Sequence, residues 1–416
     1  MQIIILGANS LTTLLVDKLS ASDHYITVID PQITALNKLS EAYEIKAIHA
    51  HPSYPDSLRK AHAEEADAVI AITTNDELNM IACQVAHSIF KVPLKIARIS
   101  SSHYVVRKEL FGNQDLPIDV FINPEKIIAR SIKCLMMAPG AQKAYELCGG
   151  QLKAIEYNML SKRPMTLKGH QQIFNPTNSN IAIFPAIHSH DYLDLILSEP
   201  PKVQKIIIAG ANETSSQLIV AMNDTAQITV IDPSHKQCLF MAKTHPNITI
   251  ICEEFSHPQI LRQENIEDCD WFLALSDDDE NNLIAAIGAK KLGCNKAMAL
   301  TYQLHYLNII EPSQVDVLLS PQSLVLQSIY GRLFNHHQVR TYDFNAGTLI
   351  CIKLIVGENH TPDIQPSCIF RHHQLTAFSQ NQTLVKGDYL LYFTQLNTED
   401  LEWSNEITIS HETAQY

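Results

Sequence analysis

The amino-acid sequence predicts an α/β protein in which two doubly wound parallel sheets follow one another along the chain. Three observations lead to this fold class. The chain has 416 residues, enough for about two to four domains with full hydrophobic cores. Short apolar runs alternate with segments of helical periodicity, and this alternating pattern occurs twice.

The duplication is visible as landmarks that recur in the same order. Gly210 follows Gly7 by 203 positions, and Asp232 follows Asp30 by 202. Three segments match their counterparts closely: residues 3–9 match 206–212, residues 26–31 match 228–233, and residues 71–79 match 274–282. Three matches at nearly one offset indicate a tandem repeat, so we expect the two halves to share one fold.

The first half contains five short apolar runs that we predict to be strands. They are rich in Ile and Val and lack polar alternation, which is typical of parallel strands buried on both faces. They cover residues 3–6, 26–29, 47–48, 69–72 and 96–99. Apolar residues between them recur at helical spacing, for example from Leu11 to Leu19. In a sheet built this way, ligands bind beyond the carboxyl ends of the strands.

A smaller strand-rich module is predicted after each sheet. A helical stretch at residues 125–136 leads into the first module, and Glu199-Pro200-Pro201 is a linker signal. The strand-like segments of the two modules are residues 152–157, 181–187, 349–352 and 389–393. The predicted boundaries are 1–144 for the first sheet, 145–199 for a shortened first module, 203–338 for the second sheet and 339–402 for the second module.

Charge and composition exclude several classes of function. Lys and Arg number 31 against 44 for Asp and Glu, a net charge of −13, and no basic cluster offers a phosphate-binding face for nucleic acid. No apolar stretch approaches the roughly 18 residues that span a bilayer, and no basic segment precedes the first strand as in a secretory signal. The nine cysteines lack Cys-x-x-Cys spacing, which predicts free thiols in a reducing compartment and no metal site.

The turn after the first strand of each half resembles a Rossmann-type nucleotide-binding turn. That turn normally carries three glycines, which allow a tight bend, close approach of a pyrophosphate and close packing of helix on strand. Here only the first glycine is present in each half. The other two positions are Asn9 and Thr12 in the first half, and Asn212 and Ser215 in the second. Because Asn tolerates a left-handed backbone and Thr or Ser is small, we expect the turn to persist, with its phosphate space narrowed.

An aspartate at the end of the second strand strengthens this interpretation. Asp30 and Asp232 lie 23 and 22 residues after their glycines, where an acid accepts hydrogen bonds from the hydroxyls of an adenosine ribose. Such an acid would also repel a 2′-phosphate, which favours NAD or another adenine nucleotide over NADP. The alternative is that each Asp-Pro pair only caps the next helix.

Polar residues also end the fourth strand of each half. Thr73 and Ser276 could contact a ribose or a phosphate, while Thr74-x-x-Glu77 has the spacing of a capping box that explains the cluster without a ligand. Arg98 lies in an otherwise apolar strand, so we expect it to pair with a phosphate or a carboxylate. Ala299 is the apolar residue at the comparable position of the second half, which makes the two sites non-equivalent.

No catalytic motif accompanies these sites. The chain has no Gly-x-Ser-x-Gly elbow, no Cys-x-x-Cys and no Walker-type Gly-Lys-Ser/Thr. A bound nucleotide would then be a signal and not a reagent, and we predict a protein that is not an enzyme. Two alternatives stay open: a NAD-dependent oxidoreductase, and an assembly or scaffold protein whose degraded glycine turns bind nothing.

Several segments together resemble the TrkA family of regulators of Trk potassium uptake, which contain two nucleotide-binding domains known as RCK or KTN domains. The resemblance covers nearly the whole chain in the order of the family. It is most specific in residues 1–6, residues 71–85, Ile96-Ala97-Arg98-Ile99, Asn123-Pro124-Glu125, Ser320-Pro321-Gln322 and Lys386-Gly387-Asp388.

The resemblance implies a cytosolic regulatory subunit, peripheral on the inner face of the cell membrane. It implies a ring-like homo-oligomer, a tetramer, that binds NAD(H), ATP or ADP and gates a TrkH- or TrkG-like potassium transporter. The residues that match the contacts of the family are Gly7, Ala8, Asn9, Ser10, Leu11, Asp30, Thr73, Thr74, Arg98, Gly210, Ala211, Asn212, Glu213, Thr214, Asp232 and Ser276. The sequence departs from the family in its degraded glycine turns and in Glu253 and Glu254, which would oppose a polyphosphate.

Overall fold

The computed structural model describes most of the two sheets and parts of the two modules. The described residues are 1–20, 24–111, 115–136, 141–147, 152–157, 181–185, 203, 205–222, 226–303, 305–311, 313–333, 339–344, 347–353, 368–371, 374–377 and 387–394. The predicted linker at 199–201, Lys386 and much of the first module lie outside this part of the chain.

The first half forms a six-stranded parallel sheet in the order β3-β2-β1-β4-β5-β6. Its strands are β1 (Gln2–Leu6), β2 (Tyr25–Asp30), β3 (Lys46–His49), β4 (Ala68–Ala71), β5 (Leu94–Arg98) and β6 (Val120–Ile122). Its helices are α1 (Ser10–Ser20), α2 (Ile33–Ala42), α3 (Pro55–Lys60), α4 (Asp76–Ser88), α5 (Ser102–Val105) and α6 (Pro124–Met136). The five predicted strands are confirmed, and the short sixth strand was not predicted.

The second half repeats this sheet in the order β12-β11-β10-β13-β14-β15. Its strands are β10 (Lys205–Ala209), β11 (Gln227–Ile231), β12 (Thr249–Ile251), β13 (Trp271–Ala274), β14 (Lys296–Leu300) and β15 (Val317–Leu319). Its helices are α7 (Glu213–Met222), α8 (His235–Thr244), α9 (Pro258–Gln263), α10 (Asp279–Lys291), α11 (Tyr306–Ile309) and α12 (Pro321–Leu333). The predicted α/β fold class with two tandem doubly wound sheets is confirmed.

Two smaller antiparallel sheets follow the parallel ones. The first has the order β7-β8-β9, formed by Ala141–Leu147, Leu152–Tyr157 and Ile181–Pro185. The second has the order β16-β17-β20-β18-β19, formed by Val339–Phe344, Gly347–Lys353, Tyr389–Thr394, Cys368–Arg371 and Gln374–Ala377. In the second sheet, Arg371 makes two hydrogen bonds, of 2.7 and 2.6 Å, to the carboxylate of Asp388. Asp388 follows Gly387, which has a φ of +96° in the predicted turn.

The central strands are apolar because both of their faces are covered. Ile3, Ile4 and Ile5 on β1 are all buried, and so are Ile206, Ile207 and Ile208 on β10. Consecutive side chains of a strand point to opposite faces, so three buried isoleucines in a row require a layer on each side of the sheet.

The two halves exchange their sixth helices. Ile128, Ile132 and Met136 of α6 pack into the core of the second half, while Val325 and Ile329 of α12 pack into the core of the first. The exchange is reciprocal: α6 contacts α7 and α12 contacts α1. Hydrogen bonds cross the same boundary, from Lys133 Nζ to the carbonyl of Ala221 (2.6 Å) and from Arg332 to the carbonyl of Phe121 (3.2 Å). The exchanged helices therefore hold the N-termini of α1 and α7 close to one another.

Within the described residues, no helix combines the length and the apolar character needed to cross a bilayer.

Candidate functional site

Each half has a glycine turn between its first strand and first helix, and the two turns share one geometry. Gly7 has a φ of +107° and Gly210 a φ of +108°. A Cβ atom at Gly7 would lie 3.1 Å from the Thr73 side chain, and one at Gly210 would lie 2.9 Å from the backbone nitrogen of Ser276. Both positions therefore require glycine, because the backbone is left-handed there and the fourth strand approaches closely.

Asn9 and Asn212 do not have the left-handed backbone that the sequence suggested, because neither is among the described non-glycine residues with positive φ. Each asparagine instead fixes the start of the helix. Asn9 accepts a hydrogen bond from the Thr12 amide (3.1 Å) and donates one to the carbonyl of Ile72 (2.7 Å). Asn212 makes the equivalent bonds in the second half. The asparagine side chains thus cap α1 and α7 and tie them to the fourth strands.

The third glycine position is occupied by a hydroxyl that bonds back to the turn. Thr12 Oγ1 donates to the carbonyl of Gly7 at 2.5 Å, and Ser215 Oγ donates to that of Gly210 at 2.6 Å. Both side chains are fully buried. A small residue is thus accommodated between helix and strand without loss of the turn.

The two aspartates bind the glycine turns and do not cap the following helices. Asp30 accepts hydrogen bonds from the amides of Ala8 (2.7 Å) and Gln32 (2.6 Å). Asp232 accepts the same pair, from Ala211 and Ser234, both at 2.7 Å. The helix-capping alternative is therefore wrong: the N-cap of α2 is Gln32, and the N-cap of α8 is Ser234, whose own side chain accepts from Gln237. Each carboxylate oxygen retains a second lone pair that a ribose hydroxyl could use.

Thr73 and Ser276 are held by a buried asparagine of the following helix. Thr73 Oγ1 donates to Asn79 Oδ1 at 2.7 Å, and Ser276 Oγ donates to Asn282 Oδ1 at the same distance. Asn79 and Asn282 also donate to the carbonyls that end the fifth strands, those of Arg98 and Leu300. The asparagines thus lock the fourth strand to the fifth at the edge where the glycine turns lie.

The predicted capping box at Thr74 and Glu77 is wrong by one residue. The cap of α4 is Asn75, which accepts from the Leu78 amide at 2.7 Å, and the cap of α10 is Asp278. Thr74 is therefore left exposed beside the site and is not used by the helix.

A cavity of about 530 Å³ lies between the two halves, at the N-termini of α1 and α7. Eight of the predicted site residues line it: Asn9, Ser10, Leu11, Thr74, Arg98, Asn212, Glu213 and Thr214. The other eight are not among its lining residues and belong to the glycine turns and the ends of strands: Gly7, Ala8, Asp30, Thr73, Gly210, Ala211, Asp232 and Ser276. The structure thus joins the helix N-termini of two predicted sites in one space.

Sequence reasoning missed the lining residues that come from the exchanged helices. These include Glu125 of α6 and Gln322 of α12, whose amide donates to Ser10 at 2.7 Å. Asp277 and Tyr302 also line the cavity and were not predicted. Pro124-Glu125 and Pro321-Gln322 belong to segments that resemble the family, but nothing local shows that each helix contacts the opposite half.

Glu125 is a cavity carboxyl group with a raised pKa. Burial raises its pKa, while hydrogen bonding to the backbone, the charge of Arg98 and a hydrogen bond with Ser100 lower it. Glu213 of the other half adds a like charge that raises it further. Among the described residues, its Oε2 atom has no hydrogen-bond partner. Tyr302 also has a raised pKa, chiefly through burial and then through the charge of Asp277.

Arg98 gives the cavity its asymmetry. Arg98 is half-buried at the end of β5, and its Nε lies 3.4 Å from Oγ of Ser100. Its positive charge also acts on the carboxyl group of Glu125. The register of the fifth and sixth strands pairs Arg98 with Ile122 and Leu300 with Leu319, so the counterpart of Arg98 is Leu300 and not Ala299. Only the first half supplies an arginine at this position.

These features define a tandem Rossmann-like protein in which the two helix N-termini that follow the glycine turns line one cavity. The TrkA-N domain family matches residues 3–124 and 206–321. The Trk system potassium uptake protein TrkA of Halomonas elongata is 30% identical over 373 residues, covering 82% of this chain and 82% of that protein. TrkA of Haemophilus influenzae is 31% identical over 362 residues, covering 80% and 79%. The chain belongs to the TrkA family of potassium uptake proteins.

A solved structure extends the comparison to three dimensions. The GsuK channel bound to NAD superimposes with a TM-score of 0.65 at 15% identity, covering 94% of this chain and 76% of that chain. This similarity shows that the tandem fold is shared. The predicted family and fold are thus confirmed, while the individual site residues stay predictions.

Proposed function

We propose that this chain is a nucleotide-sensing, non-enzymatic regulatory subunit of a Trk-type potassium uptake system, which gates a TrkH- or TrkG-like membrane subunit. The observation that carries the proposal is the repeated arrangement of a glycine with positive φ, an amide and an aspartate, with an Ala8–Asp30 distance of 2.7 Å matched by Ala211–Asp232. Membership of the TrkA family supplies the transport system, and the GsuK structure with NAD shows that one protein of this fold binds a dinucleotide.

The geometry suggests how NAD(H), ATP or ADP would lie in the first half. Asp30 would accept from the ribose hydroxyls, while the phosphates would extend over Gly7 toward the N-terminus of α1. That terminus supplies free amides and a positive dipole, and Arg98 adds a full positive charge on the same side of the cavity. Phosphate groups would therefore be held at the boundary between the halves.

The second half is the weaker candidate for this role. Asp232 is only 8% exposed, and Leu300 replaces the arginine. Glu254, on the loop after β12, adds negative charge and accepts a hydrogen bond from Asn281 at 3.2 Å. We therefore assign sensing to the first half and a mainly structural role to the second, which shares the cavity and responds to its occupancy.

The shared cavity would couple nucleotide binding to the arrangement of the two halves. A nucleotide can change the protein only by binding one arrangement of the halves better than another, and its phosphates would touch the boundary between them. We propose that segments 1–144 and 203–338 are the moving sheet domains, that the modules at 145–199 and 339–402 complete them, and that a ring-like homo-oligomer, a tetramer, carries the change to the transporter at the inner face of the membrane.

The test of the ligand site is calorimetric titration of NAD, NADH, ATP and ADP against the full chain and two variants. Arg98→Leu copies the residue that the second half already has at this position, so it should fold normally. We expect it to weaken binding of the preferred nucleotide about tenfold, the loss of one charge-assisted phosphate contact. Arg59→Leu is the matched control, because Arg59 is an exposed arginine that pairs with Asp56 at 2.7 Å, outside the cavity lining.

Equal loss in both variants, or no loss in either, would remove Arg98 from the site. Absence of binding by all four nucleotides would favour the assembly protein instead, with Asn9 and Asn212 as simple helix caps. Oxidation of NADH by a small carbonyl compound would favour the oxidoreductase. Potassium flux through a co-purified membrane subunit, measured with and without nucleotide, tests the regulatory role itself.

A further inference from the structure

Two cysteines of the second half lie together where β11 and β12 end. Cys238 faces this edge from α8, and its Sγ lies 3.3 Å from the carbonyl oxygen of Asp232 and 3.8 Å from that of Ile251. Cys252 follows Ile251 directly, and its Sγ lies 3.8 Å from the carbonyl oxygen of Pro233. Cys238 Sγ thus lies within 3.8 Å of the residue that precedes Cys252, and both thiols face carbonyls of Asp232-Pro233.

The two thiols differ in their access to solvent. Cys252 is exposed, whereas Cys238 is only 6% exposed. Burial, together with its contact to Cys252, raises the pKa of Cys238 to about 12, so this thiol stays protonated at neutral pH. Among the cysteines whose side chains the structure describes, Cys252 is the only exposed one. The pair thus consists of one accessible thiol and one shielded thiol behind it.

The arrangement is specific to the second half. The strand register places His49 at the position of Cys252, and the buried face of α2 places Leu36 at the position of Cys238. His49 contacts the carbonyl of Pro31 at 2.9 Å, as Cys252 contacts that of Pro233. The scaffold is therefore the same in both halves, and only one carries a dithiol.

We propose that Cys238 and Cys252 form a thiol–disulfide exchange site that reacts with low-molecular-weight disulfides of the glutathione type. The Cys252 thiolate attacks one sulfur of the disulfide, which forms a mixed disulfide and releases one thiolate. Cys238 then loses its proton to solvent and attacks the Cys252 sulfur, which releases the second thiolate. Two protein thiols become one disulfide, and the small disulfide takes up the two electrons and becomes two thiols.

Disulfide formation would remove both sulfur–hydrogen donors from the loop that carries Asp232. Their acceptors, the carbonyls of Asp232 and Pro233, lie beside the carboxylate that holds the Ala211 amide. Oxidation should therefore weaken any nucleotide binding by the second half. This consequence rests on the proposed function, whereas the exchange reaction needs no nucleotide.

The experiment treats the full-length reduced protein with oxidised glutathione at neutral pH, followed by alkylation in denaturant and peptide mapping by mass spectrometry. We expect a Cys238–Cys252 linked peptide pair and loss of those two thiols. Cys238→Ala should stop at a glutathione adduct on Cys252, and Cys252→Ser should leave Cys238 unmodified. Cys269 and Cys294 form a matched pair, because Cys294 Sγ lies 3.5 Å from the carbonyl oxygen of Cys269, but the two residues are 1% and 4% exposed, so they should remain reduced.

A wild-type protein that stops at the glutathione adduct, or that links Cys252 between two chains, would overturn the proposal. Equal oxidation of Cys269 and Cys294 would overturn it as well, because access would then not select the pair. If the internal disulfide forms but the affinity of nucleotide for the second half is unchanged in calorimetry, the exchange site stands and the coupling to Asp232 is wrong.

Discussion

Gly7 and Gly210 show how single residues set the geometry of the site. Each adopts a φ near +107°, which brings the glycine backbone close to a residue just after the fourth strand, Thr73 or Ser276. The amide of the residue after each glycine then donates a hydrogen bond to an aspartate. The remaining glycine positions of the motif tolerate side chains because those side chains hydrogen-bond within the turn. The first glycine has no such replacement.

Gly210→Ala should destabilise the protein by about 1–3 kcal/mol, because a left-handed alanine is strained and its Cβ would lie 2.9 Å from the nitrogen of Ser276. Gly288→Ala is the matched control: Gly288 lies within α10, and a Cβ there meets nothing within 4 Å. The control should be neutral or stabilising by up to about 1 kcal/mol. Urea unfolding measures both, and equal stability of the two variants would contradict this account of the turn.

Glu125 should make stability depend on pH. Its pKa is raised in the folded protein, so the native state binds this proton more tightly than the unfolded chain does. The contribution is therefore fully present below the ordinary glutamate pKa and is lost as pH rises through the raised native pKa. Glu125→Gln should remove this loss and increase stability at pH 8 by about 1 kcal/mol, the cost of an unpartnered buried oxygen.

The measurement is urea unfolding of wild type and Glu125→Gln from pH 4 to pH 8. The exposed Glu44 offers a control, Glu44→Gln, that removes the same charge from the surface. If the two variants have parallel stability profiles, the buried carboxyl group is not the source of the dependence.

The exchanged helices α6 and α12 are the elements that join the halves. Each continues from the sixth strand of one sheet and buries its apolar side on the other. A substitution in the second half of the sequence should therefore loosen the first sheet.

Ile329→Ala tests this exchange, because Ile329 of α12 is fully buried in the core of the first half. Removal of its buried methyl groups should cost about 2–4 kcal/mol. Hydrogen exchange should accelerate in β1 and β4 more than in β10 and β13. Val220→Ala, at an exposed position of α7, serves as the control and should leave all four strands protected. Faster exchange in the second sheet alone would contradict the observed packing.

At the scale of the whole molecule, the cavity collects charges from both halves. Glu125, Glu213 and Asp277 line the same cavity as Arg98, so a phosphate bound beside Arg98 would also face these carboxylates. Glu213→Gln should therefore increase nucleotide affinity about two- to fivefold at low salt, and the gain should shrink at high salt, where charge interactions are screened. Calorimetry at two ionic strengths measures the effect, with Glu44→Gln again as the surface control. A decrease in affinity would show that Glu213 contacts the ligand or helps to place it.

Much of the fold was predictable because its signals are local. Buried parallel strands need continuous apolar runs, and the repeated Gly, Asp and Asn positions mark strand ends in both halves. The short β6 and β15 were missed because three residues give too little pattern, and the cap of α4 was predicted at Thr74, one residue before the observed cap at Asn75. The positions of Asp30 and Asp232 were predictable, but their two amide partners depend on the turn geometry.

The sequence by itself determined the duplication, the order of strands and helices, the two glycine turns and the single arginine at the end of β5. Each of these is encoded by residues close together in the chain or by an identical offset. Only the tertiary structure decided that α6 and α12 cross to the opposite halves, that the two helix N-termini share one cavity, and that Cys238 lies beside the residue before Cys252. Those features depend on contacts between residues far apart in the chain, and no local pattern specifies them.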